Sequence, residues 1–121
     1  MLHLSDSRRY LLYSGNTDMR KSFHGLVALV TYKMQTSVMN GDVFIFISKR
    51  RNAIKLLRWE GDGFAIFYKR LEKGTFELPA CDSGTTTVLV TDTELSFILK
   101  GVALRRIKYR SRYSQNTTVC E

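Results

Sequence analysis

Three apolar runs separated by short polar turns constrain this chain more than any other feature it has. Val43-Phe44-Ile45-Phe46-Ile47 stops at Lys49-Arg50-Arg51-Asn52. Ile54, Leu56, Leu57 and Trp59 then lead to Glu60-Gly61-Asp62-Gly63, and Phe64, Ile66, Phe67 and Tyr68 run out to Lys69-Arg70. Runs rich in β-branched and aromatic residues, bounded by turn residues, read as strands. Connections this short make them an antiparallel meander. Such connectivity sorts charge by edge: Lys49, Arg50, Arg51, Lys69 and Arg70 share one rim with Lys73 close by in sequence, while Asp42, Glu60 and Asp62 collect at the other. A small sheet with one cationic rim points to a polyanionic partner, above all nucleic acid.

Other segments fit around the meander. Arg9 to Tyr13 reads as a short first strand ended by the turn composition Ser14-Gly15-Asn16. Asp18 or Thr17 can cap a helix. In that helix Met19, Phe23, Leu26, Val27, Val30 and Met34 form one apolar stripe, and it should fray between Gln35 and Asn40. Thr75 to Leu78 is a candidate fourth strand ended by Pro79, the only proline. Ala80 to Thr87 reads as a loop, and Val88-Leu89-Val90 as a brief strand or the lead-in to a helix. Thr91 and Glu94 make a capping box before Leu95, Ile98 and Leu99, with Gly101 as the stop. The expected architecture is α+β: one domain, an antiparallel β-meander packed against one main helix, and a short second helix near the C-terminus. The domain covers residues 1–101, and 102–121 form a basic, Tyr/Arg-rich tail.

At 121 residues, 44% of them hydrophobic, the chain is long enough for one domain with its own core. Nothing near Met1 resembles a signal peptide, and the longest apolar runs fall far short of a membrane span. With Cys81 and Cys120 as the only cysteines, a cytoplasmic protein with reduced thiols is expected. The net charge is +8, and half of that excess lies in residues 101–121. There Arg105, Arg106, Lys108, Arg110 and Arg112 interleave with Tyr109 and Tyr113, a composition suited to phosphates and to stacking on bases or packing on sugars.

Several segments taken together resemble a known family. They are Leu4-Ser5-Asp6-Ser7, Tyr13-Ser14-Gly15-Asn16-Thr17-Asp18-Met19-Arg20-Lys21-Ser22-Phe23, Gly41-Asp42-Val43-Phe44-Ile45-Phe46, Ile54-Lys55-Leu56-Leu57-Arg58-Trp59-Glu60-Gly61-Asp62-Gly63-Phe64, and Lys69-Arg70-Leu71-Glu72-Lys73-Gly74-Thr75-Phe76. Over roughly residues 4–100 the chain is similar to the TnpB (Orf2-like) accessory proteins of the insertion sequence 66 family of bacterial transposable elements. The resemblance implies a protein encoded beside a separate transposase and assisting transposition. Its expected partners are DNA, at the element ends or the target, and the element-encoded transposase.

The residues offer little for catalysis. Metal-dependent strand transfer needs clustered carboxylates to hold two cations, whereas Asp18, Asp42, Asp62 and Asp92 sit where aspartate caps helices and closes turns. His3 and His24 are far apart in sequence, and Glu60-Gly61-Asp62-Gly63 is too acidic to cradle a phosphate. No catalytic residue, metal or cofactor is expected.

Arg20 and Lys21 would oppose the dipole in the first turn of a helix, unless an anion docks there or Asp18 pairs with them. With Asp62-Gly63 as a two-residue turn, Lys55 would face Arg70 across the ladder, a like-charge pair that a bound polyanion would relieve. Trp59 and Tyr68 could stack on bases, but aromatics in a meander more commonly serve the core. The nucleic-acid-binding candidates are therefore Arg20, Lys21, Lys49, Arg50, Arg51, Lys55, Lys69 and Arg70, with Arg105, Arg106, Lys108, Arg110 and Arg112 of the tail. Two rivals share this composition: a protein–protein adaptor for the transposase, and an RNA-binding regulator.

Overall fold

A computed structural model describes residues 8–79 and 84–101. It contains β1 (Tyr10–Asn16), α1 (Phe23–Ala28) continued by a π-helical turn (Leu29–Lys33), β2 (Val43–Ile47), β3 (Ala53–Trp59), β4 (Phe64–Arg70), β5 (Thr87–Val90) and α2 (Asp92–Lys100). The five strands form one sheet in the order β4-β3-β2-β1-β5. The fold is α+β, with the meander β2-β3-β4 antiparallel throughout.

The sheet as a whole is mixed. β1 runs parallel to β2, with α1 in the crossover, and β5 pairs antiparallel with the outer edge of β1. Local turn chemistry reveals hairpins, but nothing local in β1 reveals which way it will lie against β2. Parallel neighbours need a long crossover, and residues 17–42 supply it. Val88–Val90 is thus part of a strand, whereas Thr75–Leu78 belongs to no strand. β1 also continues through Ser14-Gly15-Asn16, where its pairing with β2 slips: Leu12 pairs with Ile45, but Asn16 with Ile47.

Alternation splits the apolar residues between two faces. Tyr10, Leu12, Val43, Ile45, Ile47, Ile54, Leu56, Val88 and Val90 face one way, packed with Phe76 beneath Leu95 and Ile98 of α2. Leu11, Phe44, Phe46 and Leu57 face the other way, beneath Leu26, Val30 and Met34. The sheet is therefore covered on both faces, and β2, its central strand, is buried at all five positions. That is why Val43–Ile47 is uninterrupted by polar residues.

The main helix starts later than its apolar stripe. Met19, Arg20 and Lys21 precede it: Lys21 N–H donates to Asp18 O at 3.0 Å, closing a turn, and Ser22 is the N-cap without a side-chain bond. Beyond Ala28 the turns widen, with Met34 N–H reaching Leu29 O five residues back at 3.0 Å. Leu26, Val30 and Met34 recur at a strict four-residue interval. An α-turn carries such a series past the contact line and a π-turn brings it back. All three are buried as a result.

α2 forms as its sequence directs. Thr91 Oγ1 accepts Glu94 N–H at 3.0 Å, Glu94 Oε1 accepts Thr91 N–H at 2.9 Å, and Gly101 ends the helix in the left-handed region at φ 81°. The β3–β4 turn differs from expectation. Glu60 N–H bonds Gly63 O at 2.8 Å, and Gly61, at φ 94°, takes the first central position that glycine favours in a primed turn. The turn is Gly61-Asp62, not Asp62-Gly63. Lys55 consequently pairs with Tyr68 and Arg70 with Ala53, so the expected Lys55–Arg70 repulsion does not exist.

Candidate nucleic-acid interface

Strand polarity brings the β2–β3 turn and the end of β4 to one edge, with Ala53 opposite Arg70 and Ile54 opposite Lys69. Within the turn Ser48 N–H donates to Ala53 O at 3.0 Å, Ala53 N–H donates to Ser48 Oγ at 3.1 Å, and Arg51 N–H donates to Ser48 O at 2.9 Å. Arg51 adopts φ 61°, the left-handed region where side chains other than glycine and asparagine are rarely found. The following chain holds it there: Phe76 N–H bonds Arg51 O and Leu71 N–H bonds Asn52 O, both at 2.7 Å.

Two recesses flank this turn. One, an open groove of about 350 Å³, lies between the Thr17–Met19 loop and the sheet edge, and is bordered by Lys49, Arg50, Tyr68 and Arg70. The other, about 410 Å³, lies between the end of β1, Arg51 and Leu78-Pro79. Lys49, Arg50, Arg51 and Arg70 are all exposed. Among the described residues none of the four forms a salt bridge.

The opposite edge is chemically different because two of its three acids, Asp42 and Glu60, are answered. Arg9 donates through Nε and Nη2 to Asp42 at 3.2 and 2.5 Å, where Asp42 is only 6% exposed. Arg8 Nη1 caps Gly41 O at 3.0 Å, and Arg58 pairs with Glu60. Arginines thus pair Asp42 and Glu60, while among the described residues the four cations of the other end have no salt bridge. The sequence pattern grouped the acids but missed Arg8 and Arg9, whose neighbours are set by the parallel β1–β2 pairing.

Not every predicted cation reaches the groove. Lys55, expected on the phosphate-facing surface, is 8% exposed and turned inward. Its ammonium donates to Met19 O at 2.9 Å and Lys21 O at 2.7 Å, and lies 4.8 Å from the centre of the Tyr68 ring. It hooks the loop before α1 onto the sheet. Lys69, on the opposite face of the next strand, donates to Leu99 O at 2.7 Å and satisfies a carbonyl at the end of α2. Both lysines within the meander strands are engaged with backbone. Arg105, Arg106, Lys108, Arg110 and Arg112 lie outside the described residues, as do Cys81 and Cys120.

Arg20 takes the pairing alternative. Its Nε and Nη2 donate to the Asp18 carboxylate at 3.1 and 2.7 Å, and its backbone N–H to Asp18 Oδ1 at 2.9 Å. The first turn of α1 holds no cation, since Arg20 and Lys21 both precede it, so the opposed helix dipole disappears with the anion site it would have justified. The Arg20 side-chain and backbone hydrogen bonds hold the Asp18 carboxyl down from its ordinary 3.8 to about 2. A carboxylate whose folded pKa lies below its unfolded value contributes stability fully present above about pH 4 and lost as pH falls towards 2. Asp18→Asn should therefore flatten the stability curve in that window, as read by urea melts at stepped pH. An unchanged acid limb would show that the pair does not form in solution.

Tyr68 borders the groove, is 47% exposed, and carries Lys55 against its ring. Trp59 is half-buried and meets Phe64 edge to face at 4.9 Å. Of the two aromatics considered for stacking, only Tyr68 lies at the cationic edge. Among the described residues there is no group of three or more His, Cys, Asp or Glu side chains placed to hold a metal ion. No helix among them is long and apolar enough to cross a membrane.

A five-stranded mixed sheet between two helices, with charge left unpaired along one edge, defines this protein as a small α+β domain with a cationic rim. The chain belongs to the family of IS66 Orf2-like proteins, whose model matches residues 8–109. It is thus an insertion-sequence-associated accessory protein. The match runs past residue 100 to include Arg105, Arg106, Lys108 and Tyr109, so the first part of the basic tail belongs to the family pattern. Two relatives from Sinorhizobium fredii (strain NBRC 101917 / NGR234) are similar along most of their length. Uncharacterized protein y4hO is 29% identical over 87% of this chain and 90% of its own. Uncharacterized protein y4jC is 30% identical over 89% and 91%. No solved structure matches the chain.

Proposed function

We propose that the protein is a cytoplasmic, non-catalytic accessory factor of insertion-sequence transposition that binds DNA, alone or with the transposase, through the rim formed by Lys49, Arg50, Arg51 and Arg70. One observation carries this reading: among the described residues these four cations stand exposed without carboxylate partners, while Asp42 and Glu60 of the far edge are paired. Like charges held together repel one another, and a polyanion removes that cost. Arg51 strengthens the case, because glycine would relieve its left-handed backbone and a charged side chain occupies the position instead. Phosphate attraction supplies most of the affinity, with little reading of bases.

A salt titration of duplex binding tests the reading. Neutralising all four with Lys49→Gln, Arg50→Gln, Arg51→Gln and Arg70→Gln should reduce the log-log salt slope by about 3.6 in magnitude, at roughly −0.9 per phosphate. Affinity at low salt should fall on the order of 100-fold or more. An adaptor that touches only the transposase would show no duplex affinity at low salt and no response to these substitutions.

A further inference from the structure

We infer that the groove beside the rim takes single-stranded DNA, with one unpaired base stacked on Tyr68 and its flanking phosphates on Lys49, Arg50 and Arg70. This deepens the proposed function and rests on it. The inference begins with β4. It is an edge strand, so no neighbouring strand covers Tyr68, which stays 47% exposed where the other aromatics of this sheet are buried or half-buried. Its ring borders the same groove as Lys49, Arg50 and Arg70. Among the described residues that line it, the one acid is Asp18, already bonded to Arg20.

Lys55 supplies the second observation. Cross-strand pairing sets it opposite Tyr68, and two backbone carbonyls fix its ammonium 4.8 Å from the ring centre. The ring is held in place before any ligand arrives, so stacking on it costs little ordering. The cation also draws on the ring's electron density from one side. An aromatic platform among unpaired cations suits a strand whose base faces are open. In a duplex those faces are occupied by neighbouring base pairs, and Tyr68 would add nothing to phosphate contact.

The test uses the full chain with a short oligonucleotide carrying 2-aminopurine, single-stranded or annealed to its complement, at matched salt. The single strand should bind roughly ten-fold more tightly than the duplex, with quenching of the 2-aminopurine fluorescence by stacking. Tyr68→Leu should weaken single-strand binding on the order of ten-fold, as expected for loss of one base–aromatic stack. It should change duplex affinity less than about two-fold, since phosphate contacts remain. Tyr68→Phe, which keeps the ring, should retain single-strand affinity, and neither variant should change the salt slope. Equal or tighter duplex binding without quenching by the unsubstituted chain overturns the inference whatever the variants do. So does an unchanged single-strand affinity in a folded Tyr68→Leu variant. Either result, with salt-dependent duplex binding intact, leaves the rim reading standing; absence of binding to both forms removes the two together.

Discussion

Replacing Phe76 by alanine should destabilise the protein by about 3–5 kcal/mol, the cost of emptying a large aromatic site in a packed core. Phe76 belongs to no strand, yet it is 1% exposed and fills the core beneath α2 alongside Ile47, Ile54 and Leu95. Its backbone N–H also holds the carbonyl of Arg51. The substitution thus removes buried ring area and loosens the clamp on the left-handed turn. Total stabilities of small domains are about 5–15 kcal/mol, so this single change should bring the chain near half-unfolded in mild urea. A urea melt measures the loss, and amide exchange at Phe76 should report faster local opening. A cost below about 1 kcal/mol would show that this site is not packed as a core site.

Lys55→Met should cost about 2 kcal/mol, for a different reason. Hydrogen bonds made by a charged donor each contribute about 1.5–3 kcal/mol, and Lys55 makes two, to Met19 O and Lys21 O. Against this, removing a nearly buried cation recovers its desolvation cost, which offsets part of the loss. Methionine keeps most of the stem and its packing, so the measured change isolates the ammonium. Chemical denaturation gives the value, and a variant as stable as the parent would place the ammonium in solvent instead. Because the same ammonium pins Tyr68, the variant should also give weaker 2-aminopurine quenching while duplex affinity holds.

Much of this fold was legible because its determinants are local. The capping box and glycine stop of α2, the three meander strands and the sharing of one edge by Lys49–Arg51 and Arg70 all follow from residues within a few positions of one another. Most of the misreadings have long-range causes. The parallel placement of β1, the pairing of β5 with it and the burial of Phe76 are fixed by contacts between distant segments. The two-residue error in the β3–β4 register came from placing the turn at Asp62-Gly63, although Gly61 has the freedom the turn requires. That small shift matters: it exchanges a repulsive Lys55–Arg70 pair for an attractive Lys55–Tyr68 one.

The candidate site was legible as charge and illegible as geometry. Composition cannot tell a solvated lysine from one whose ammonium is held by carbonyls, so Lys55 and Lys69 counted equally with Lys49. What separates them is what each side chain reaches: Lys55 bonds carbonyls of the loop before α1 and Lys69 one at the end of α2, whereas Lys49, Arg50 and Arg51 stand exposed in the β2–β3 turn. Of the five rim cations read from the sequence, Lys49, Arg50, Arg51 and Arg70 remain exposed once Lys69 is assigned to a backbone carbonyl.

The strand order also has a consequence for how the molecule is made. β1 is made before β2, β3 and β4, yet its outer neighbour β5 is made after all three, and the chain must cross the full width of the sheet to deliver it. Until then β1 offers an unpaired row of amides and carbonyls to any passing strand. A nascent chain cut short before residue 87 would keep that vulnerable border, so delivery of β5 is the step that closes the sheet.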